Sequence, residues 1–229
     1  MTEENSKKSH YIGHRQRLRN KFSTSRSSSY DYELIEMLLF YVFKQRDTKK
    51  LSKDLLEKFQ NLKNLIAAEP KDLEKIPGIG KSASFLFNLI HEIYGRMAFE
   101  PLKESKIIAS SSQVLHYYKT KMENLKKEQF HVMFLNNKNR LLADEIMQFG
   151  TINRAAVYPR EIIEKALEYG ASAIIMVHNH PSGDPQPSRQ DVIITRQIRD
   201  IAQKLDIELL DHLIIGKDSY RSLKESDLI

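Results

Sequence analysis

The sequence predicts a two-part α/β protein, with a small all-α domain preceding a mixed-sheet α/β domain. Three observations predict it. Apolar residues recur at three- and four-residue spacing from Tyr30 to about residue 99. Short β-branched and aromatic runs then alternate with amphipathic helical stretches from about residue 110. Between them lies a charged stretch, 98–109, containing Pro101, which reads as a linker. At 229 residues the chain has room for one or two domains. The expected division is a flexible basic arm at 1–29, a helical domain at 30–100 and an α/β domain at 107–229.

The arm is read from composition. Residues 1–26 carry seven Lys/Arg against Glu3 and Glu4, a net +5 of the chain's +6, so the remaining 203 residues sum to +1. The run Ser23-Thr24-Ser25-Arg26-Ser27-Ser28-Ser29 has loop composition. A basic segment on a near-neutral body attracts a polyanion such as nucleic acid, or is simply a solvated tail. In the helical part, Leu34, Met37, Leu38, Tyr41 and Val42 fit one buried helix face. Phe22, Phe40, Tyr41 and Phe43 are read as core residues. A second helix carries Leu51, Leu55, Leu56 and Phe59 behind Thr48, and a third short one covers 62–68.

In the second part, 114–121 is helical and 130–135 is a strand. Asn136-Asn137-Lys138-Asn139 marks a turn into a second strand, 140–148. A helix over 161–169 ends at Gly170. Residues 172–177 are an apolar strand leading into His178, 188–205 a long helix, and 207–215 a strand.

Composition excludes several classes. With no cysteine there is no disulfide, thiol nucleophile or Cys-ligated metal site, and the Cys-based zinc deaminases are ruled out. No apolar run approaches the ~18 residues of a membrane span, and the polar N-terminus lacks the apolar stretch of a signal peptide. The expectation is a cytoplasmic protein with no membrane partner; composition leaves its oligomeric state open.

The chemistry concentrates in His178-Asn179-His180-Pro181-Ser182-Gly183-Asp184-Pro185-Gln186-Pro187-Ser188-Arg189-Gln190-Asp191. Histidines at i and i+2 beside a strand project to one side. The Pro/Gly-rich loop turns the chain back, so that Asp191 can return a carboxylate as a third ligand. Three protein ligands leave the fourth position of Zn2+ open for water, as in catalytic sites. Ser188-x-x-Asp191 is equally a helix-capping signature, and the two roles are compatible. Asp184 reads as a turn residue. Asp211 and His212 lie on one strand, where only one can face the site, as a supporting residue or plain core.

The spacing of His178, His180, Ser188 and Asp191 resembles the JAMM pattern of the MPN metallopeptidases. The fuller string from His178 to Asp191, with Tyr158-Pro159-Arg160-Glu161 and Leu210-Asp211-His212-Leu213-Ile214-Ile215-Gly216, resembles the RadC family. That resemblance extends to Tyr32-Glu33-Leu34-Ile35-Glu36-Met37-Leu38-Leu39 and to Ile76–Gly80. It implies an MPN domain with one zinc ion held by His178, His180 and Asp191, and hydrolysis of a peptide or isopeptide-like bond. It further implies a catalytic glutamate at the start of the first strand, where Glu128 stands 50 residues before His178, with Glu145 as the rival. Ser188 is implied to stabilise the oxyanion.

Ile76-Pro77-Gly78-Ile79-Gly80-Lys81 resembles the hairpin of helix-hairpin-helix modules, and the RadC family carries a DNA-repair label. Gly78, Gly80 and Lys81 are the implied contacts to a DNA phosphate. A non-catalytic, DNA-associated protein using this hairpin and the basic arm is the competing expectation.

Overall fold

A computed structural model describes residues 3–44, 46–104, 111–149 and 157–229. The chain divides into two compact units, Met1–Ile93 and Tyr94–Ile229. The division falls within one helix rather than in a linker near 98–109. That helix is Lys81–Glu104, and it accommodates Pro101 in its last turns. Residues 105–110 of the expected linker lie outside the described residues.

The first unit contains α1 (Glu3–Thr24), α2 (Asp31–Val42), α3 (Lys49–Phe59), α4 (Leu62–Ile66), α5 (Pro70–Leu73) and the start of α6 (Lys81–Glu104). Ile35, Leu39, Leu51, Leu55, Leu65, Leu73, Ile79, Ala83 and Phe87 form its core. The segment expected as an arm is instead helical through Thr24. Its attachment is polar as much as apolar, which is why hydropathy alone does not reveal it. Leu18 is buried. The Arg15 guanidinium donates to the carbonyl oxygens of Lys44 (2.8 Å) and Arg46 (2.9 Å), and also to that of Phe43. Those carbonyls belong to the C-cap residue Phe43 and the residues that follow α2, where a cation complements the C-terminal end of the helix dipole. Lys21 pairs with Glu33 at 2.6 Å. Of the four aromatics read as core, Phe40 is buried, Phe22 and Phe43 are half-buried, and Tyr41 is 76% exposed with the Arg19 guanidinium 5.9 Å from its ring. Tyr41 lies one residue past Phe40 on the helix, a rotation that takes it off the buried face.

The second unit is a mixed α/β domain built on a five-stranded sheet in the order β2-β1-β3-β4-β5. The strands are β1 (Gln129–Leu135), β2 (Leu141–Phe149), β3 (Ala173–Asn179), β4 (Glu208–Ile215) and β5 (Tyr220–Ser222). β3 and β4 run parallel and the other neighbours antiparallel. The helices are the end of α6, α7 (Ser111–Met122), α8 (Pro159–Glu168) and α9 (Arg189–Gln203), the last forming the β3–β4 crossover.

Strand alternation divides the core between the two sheet faces. Met133, Leu135, Ile175, Val177, Leu213 and Ile215 pack with Tyr117, Tyr118 and Met122 of α7. Val132, Phe134, Ile174 and Met176 pack with Ile162 of α8 and Ile198 and Ala202 of α9. β3 continues two residues beyond its expected end. His178 therefore stands inside the sheet, in register with Phe130 and Ile214, on the face that α9 covers.

Candidate metal centre

Each ligand candidate is set by a different local rule. His178 points inward because it continues the buried even-numbered series of β3, and it is fully buried. His180 follows the strand, where its N–H donates to Ile215 O at 2.9 Å and its ring Nδ1 faces Asp184 O at 2.7 Å. A carbonyl only accepts, so Nδ1 of His180 carries the proton and Nε2 is turned to the site. Asp191 lies in the first turn of α9. Asp191, Thr195, Ile198 and Ala202 follow one another at intervals of four, three and four, so they share the sheet-facing side.

Ser188 starts that helix with a reciprocal cap. Its backbone N donates to Asp191 Oδ2 at 2.7 Å, and Asp191 N donates to Ser188 Oγ at 3.1 Å. Capping and convergence on the histidines coexist: one cap hydrogen bond still leaves the Asp191 carboxylate acceptor capacity toward the rings.

His178 Nε2 and His180 Nε2 stand 3.0 Å apart. Asp191 Oδ1 is 3.6 Å from the first, and Asp191 Oδ2 is 3.7 Å from the second. Zinc–ligand bonds of ~2.0–2.2 Å in tetrahedral directions separate ligand atoms by roughly 3.3–3.6 Å. The observed separations bracket that range, and one ligand atom from each residue lies within 4.8 Å of the others. The donor set suits zinc: two imidazole nitrogens and one carboxylate.

The electrostatics match this convergence. Burial pushes the His178 imidazole down to about 4, the charge of His180 adds to this, and Asp191 opposes both. Its ring is thus neutral at pH 7, as a ligand must be. Interaction with Asp191 raises His180 against the effect of burial. Burial alone would raise the Asp191 carboxyl, but His180, His178 and the Ser188 cap outweigh it and hold it well below the usual range.

Glu128 stands immediately before β1. Burial of its carboxyl raises it, with Asp191 acting in the same direction and His180 opposing, so it interacts electrostatically with both although the residue remains solvent-accessible. Its placement depends on a residue that the sequence reading passed over. Asn179, between the two histidines, is 1% exposed. Its Oδ1 accepts from Gln129 N at 2.9 Å and its Nδ2 donates to Lys127 O at 3.2 Å. The side chain thus ties the backbone on both sides of Glu128 to the end of β3.

The rival Glu145 is engaged on β2, where it accepts from the Tyr169 hydroxyl. Asp184 forms the expected turn, with Oδ1 accepting from Gln186 N at 3.0 Å. Asp211 anchors the chain beyond β4, accepting from the Ser222 hydroxyl at 2.7 Å and from Lys224 N at 3.2 Å.

His212 faces the site. It is fully buried, and its Nε2 lies 2.8 Å from His178 Nδ1. Burial also pushes its imidazole well below the ordinary value. Gly216 is another residue whose role sequence patterns do not reveal. A Cβ there would meet Gly183 O at 2.4 Å and Pro185 Cδ at 2.8 Å, so the loop between His180 and Ser188 rests directly on the glycine backbone.

In the first unit, Gly78 adopts φ +94° in the hairpin before α6, and a Cβ there would meet Arg46 Nη2 at 2.5 Å. Arg46 Nη1 donates to Gly78 O at 3.3 Å. Gly80 has open space around its Cβ position, and Lys81, the first residue of α6, is exposed.

A family model, RadC, described as the RadC-like JAB domain, matches residues 108–228.

Proposed function

The chain belongs to the RadC family through its MPN/JAB-type domain, and from that membership and the ligand geometry we propose that it is a zinc-dependent hydrolase of the JAMM type, cleaving a peptide or isopeptide-like amide bond. The observation that carries this reading is the convergence of His178 Nε2, His180 Nε2 and the Asp191 carboxylate, one ligand atom from each within 4.8 Å of the others. Those three residues would hold the ion. When bound, zinc supplies Lewis acidity, polarising a carbonyl and making water a nucleophile near neutral pH.

The remaining roles fall to the chain itself. Glu128 takes the proton of the attacking water and returns it to the leaving amine; its raised carboxyl is better matched to that exchange than an ordinary glutamate. The Ser188 cap uses an oxygen lone pair, which leaves the hydroxyl proton for donation to the developing oxyanion. The test is hydrolysis of a fluorogenic peptide and isopeptide library by zinc-loaded protein. Glu128→Gln is expected to lower turnover by ~10²–10⁴-fold with zinc retained. Equal turnover in the variant contradicts the assignment.

The second reading, contact of the helical unit with DNA phosphates, is favoured by the hairpin. The Arg46 guanidinium on Gly78 and the exposed Lys81 place two cations beside its backbone. It is compatible with the first, since one unit can locate nucleic acid while the other cuts a bound protein.

A further inference from the structure

We infer that His212 and Thr195 are positioning residues that fix the tautomer of His178 through a hydrogen-bond chain of a single direction, leaving its Nε2 lone pair aimed at the metal position. This inference rests on the metal reading and extends it to two residues that touch no ion themselves.

The direction follows from donor and acceptor counting. Thr195 Oγ1 donates to the carbonyl oxygen of Asp191, which has no hydrogen to offer. The single hydroxyl proton is thereby used. The contact between Thr195 Oγ1 and His212 Nδ1, at 2.6 Å, must then be supplied with a proton by the ring. A neutral His212 protonated at Nδ1 has a bare Nε2. The 2.8 Å contact between that nitrogen and His178 Nδ1 therefore takes its proton from His178. A neutral His178 protonated at Nδ1 has its lone pair on Nε2, the atom 3.0 Å from His180 Nε2 and 3.6 Å from Asp191 Oδ1.

Reversing the chain would require His178 Nδ1 to accept from His212 and His212 Nδ1 to accept from Thr195. Two oxygens, Thr195 Oγ1 and Asp191 O, would then face each other without a proton between them. Thr195, His178 and His212 are each fully buried, so water is not positioned to relieve that mismatch. The chain also closes on itself: it starts at the β3 ligand, crosses β4, and ends on the backbone of the α9 ligand. Ligand histidines generally need such a partner on the other ring nitrogen, and losing it costs about 10–100-fold in metal affinity.

The test uses full-length protein and two readouts. Long-range ¹H–¹⁵N correlation of metal-free, ¹⁵N-labelled protein is expected to show His178 protonated at Nδ1 and bare at Nε2. Zinc affinity, measured by competition with a chromophoric chelator, is expected to fall about 10–100-fold in His212→Leu. In that variant the Nε2–H form of His178 should appear. His212→Gln, whose amide oxygen can accept from His178, should recover part of the loss. If His212→Leu does not fold, Thr195→Val carries the test, with weaker zinc binding expected and Thr195→Ser restoring it. His178 protonated at Nε2 in the metal-free wild type overturns the inference. Wild-type affinity in a folded His212→Leu, or in Thr195→Val, overturns it as well. A wild-type protein that takes up no zinc refutes the metal reading instead, and its nitrogen shifts still decide the direction of the chain.

Discussion

Gly216→Ala puts the construction of the candidate metal centre under direct strain. The added Cβ would stand 2.4 Å from Gly183 O, 2.8 Å from Pro185 Cδ and 3.0 Å from Pro185 N. Two of these are backbone atoms and the third belongs to a proline ring, so no flexible side-chain end can yield. The loop must move, and with it Asp184, whose carbonyl oxygen holds the His180 ring. Overpacking of this kind costs ~1–3 kcal/mol. At ~2 kcal/mol, the melting temperature of a domain this size falls by about 4–8 °C. Zinc affinity should fall with it, because His180 Nε2 loses its fixed direction. Gly80→Ala is the matched control: its Cβ would meet nothing within 4 Å, and a change below ~1 kcal/mol is expected. Differential scanning calorimetry with and without zinc, plus chelator competition, reads both variants. A Gly216→Ala protein with unchanged melting temperature and zinc affinity refutes the reasoning that the loop rests on this glycine.

Three further outcomes are expected. Asn179→Ala leaves Gln129 N without its side-chain partner, costing ~1–3 kcal/mol; amide exchange should rise at Gln129 while zinc binding persists, and unchanged protection would show that Asn179 does not hold the segment around Glu128. The metal-free protein should weaken as pH falls from 6.5 toward 4. Over that window the unfolded chain binds a proton that buried His178, pushed down to about 4, does not; this lowers stability by roughly 3 kcal/mol at the low end. His212 acts in the same direction and His180, raised, in the opposite one; a urea midpoint in chelator that stays flat from pH 7 to 4.5 would contradict this. Under the DNA reading, duplex binding should weaken steeply with salt, and Lys81→Ala should lower both affinity and salt slope, the slope by about one phosphate contact; a salt-independent affinity would count against phosphate contact altogether.

The legible part of this protein is the part written locally. His178, His180 and Asp191 lie within 14 consecutive residues, and strand alternation with a first-turn helix position suffices to bring them together. The capping box of Ser188 is legible for the same reason, and so are β1 and β2 through their turn. Glu128 is different: its place at the start of β1, alongside the end of β3, follows from the antiparallel pairing of Phe130 with His178 and from the Asn179 side chain. Sequence spacing carries neither, so only the family resemblance pointed to it. His212 meets His178 across a parallel pair whose register shifts between Ile174 and Ile175, which strand alternation alone does not locate. Gly216 matters because a loop some thirty residues earlier rests on it. β5, with three residues, is too short to give an alternation pattern. α1 was hidden because it docks through Arg15, Leu18 and Lys21, and two of these three count as solvent-facing in any hydropathy reading.

The claim that three side chains hold one ion is tested most directly by zinc-edge X-ray absorption on purified, zinc-loaded protein, paired with the His178→Ala, His180→Ala double variant. The expected result is about one zinc per chain, with scattering from two imidazoles and a light oxygen shell, and its loss in the double variant. Retention of a full equivalent of zinc by the double variant, or a wild-type spectrum without imidazole scattering, would contradict it.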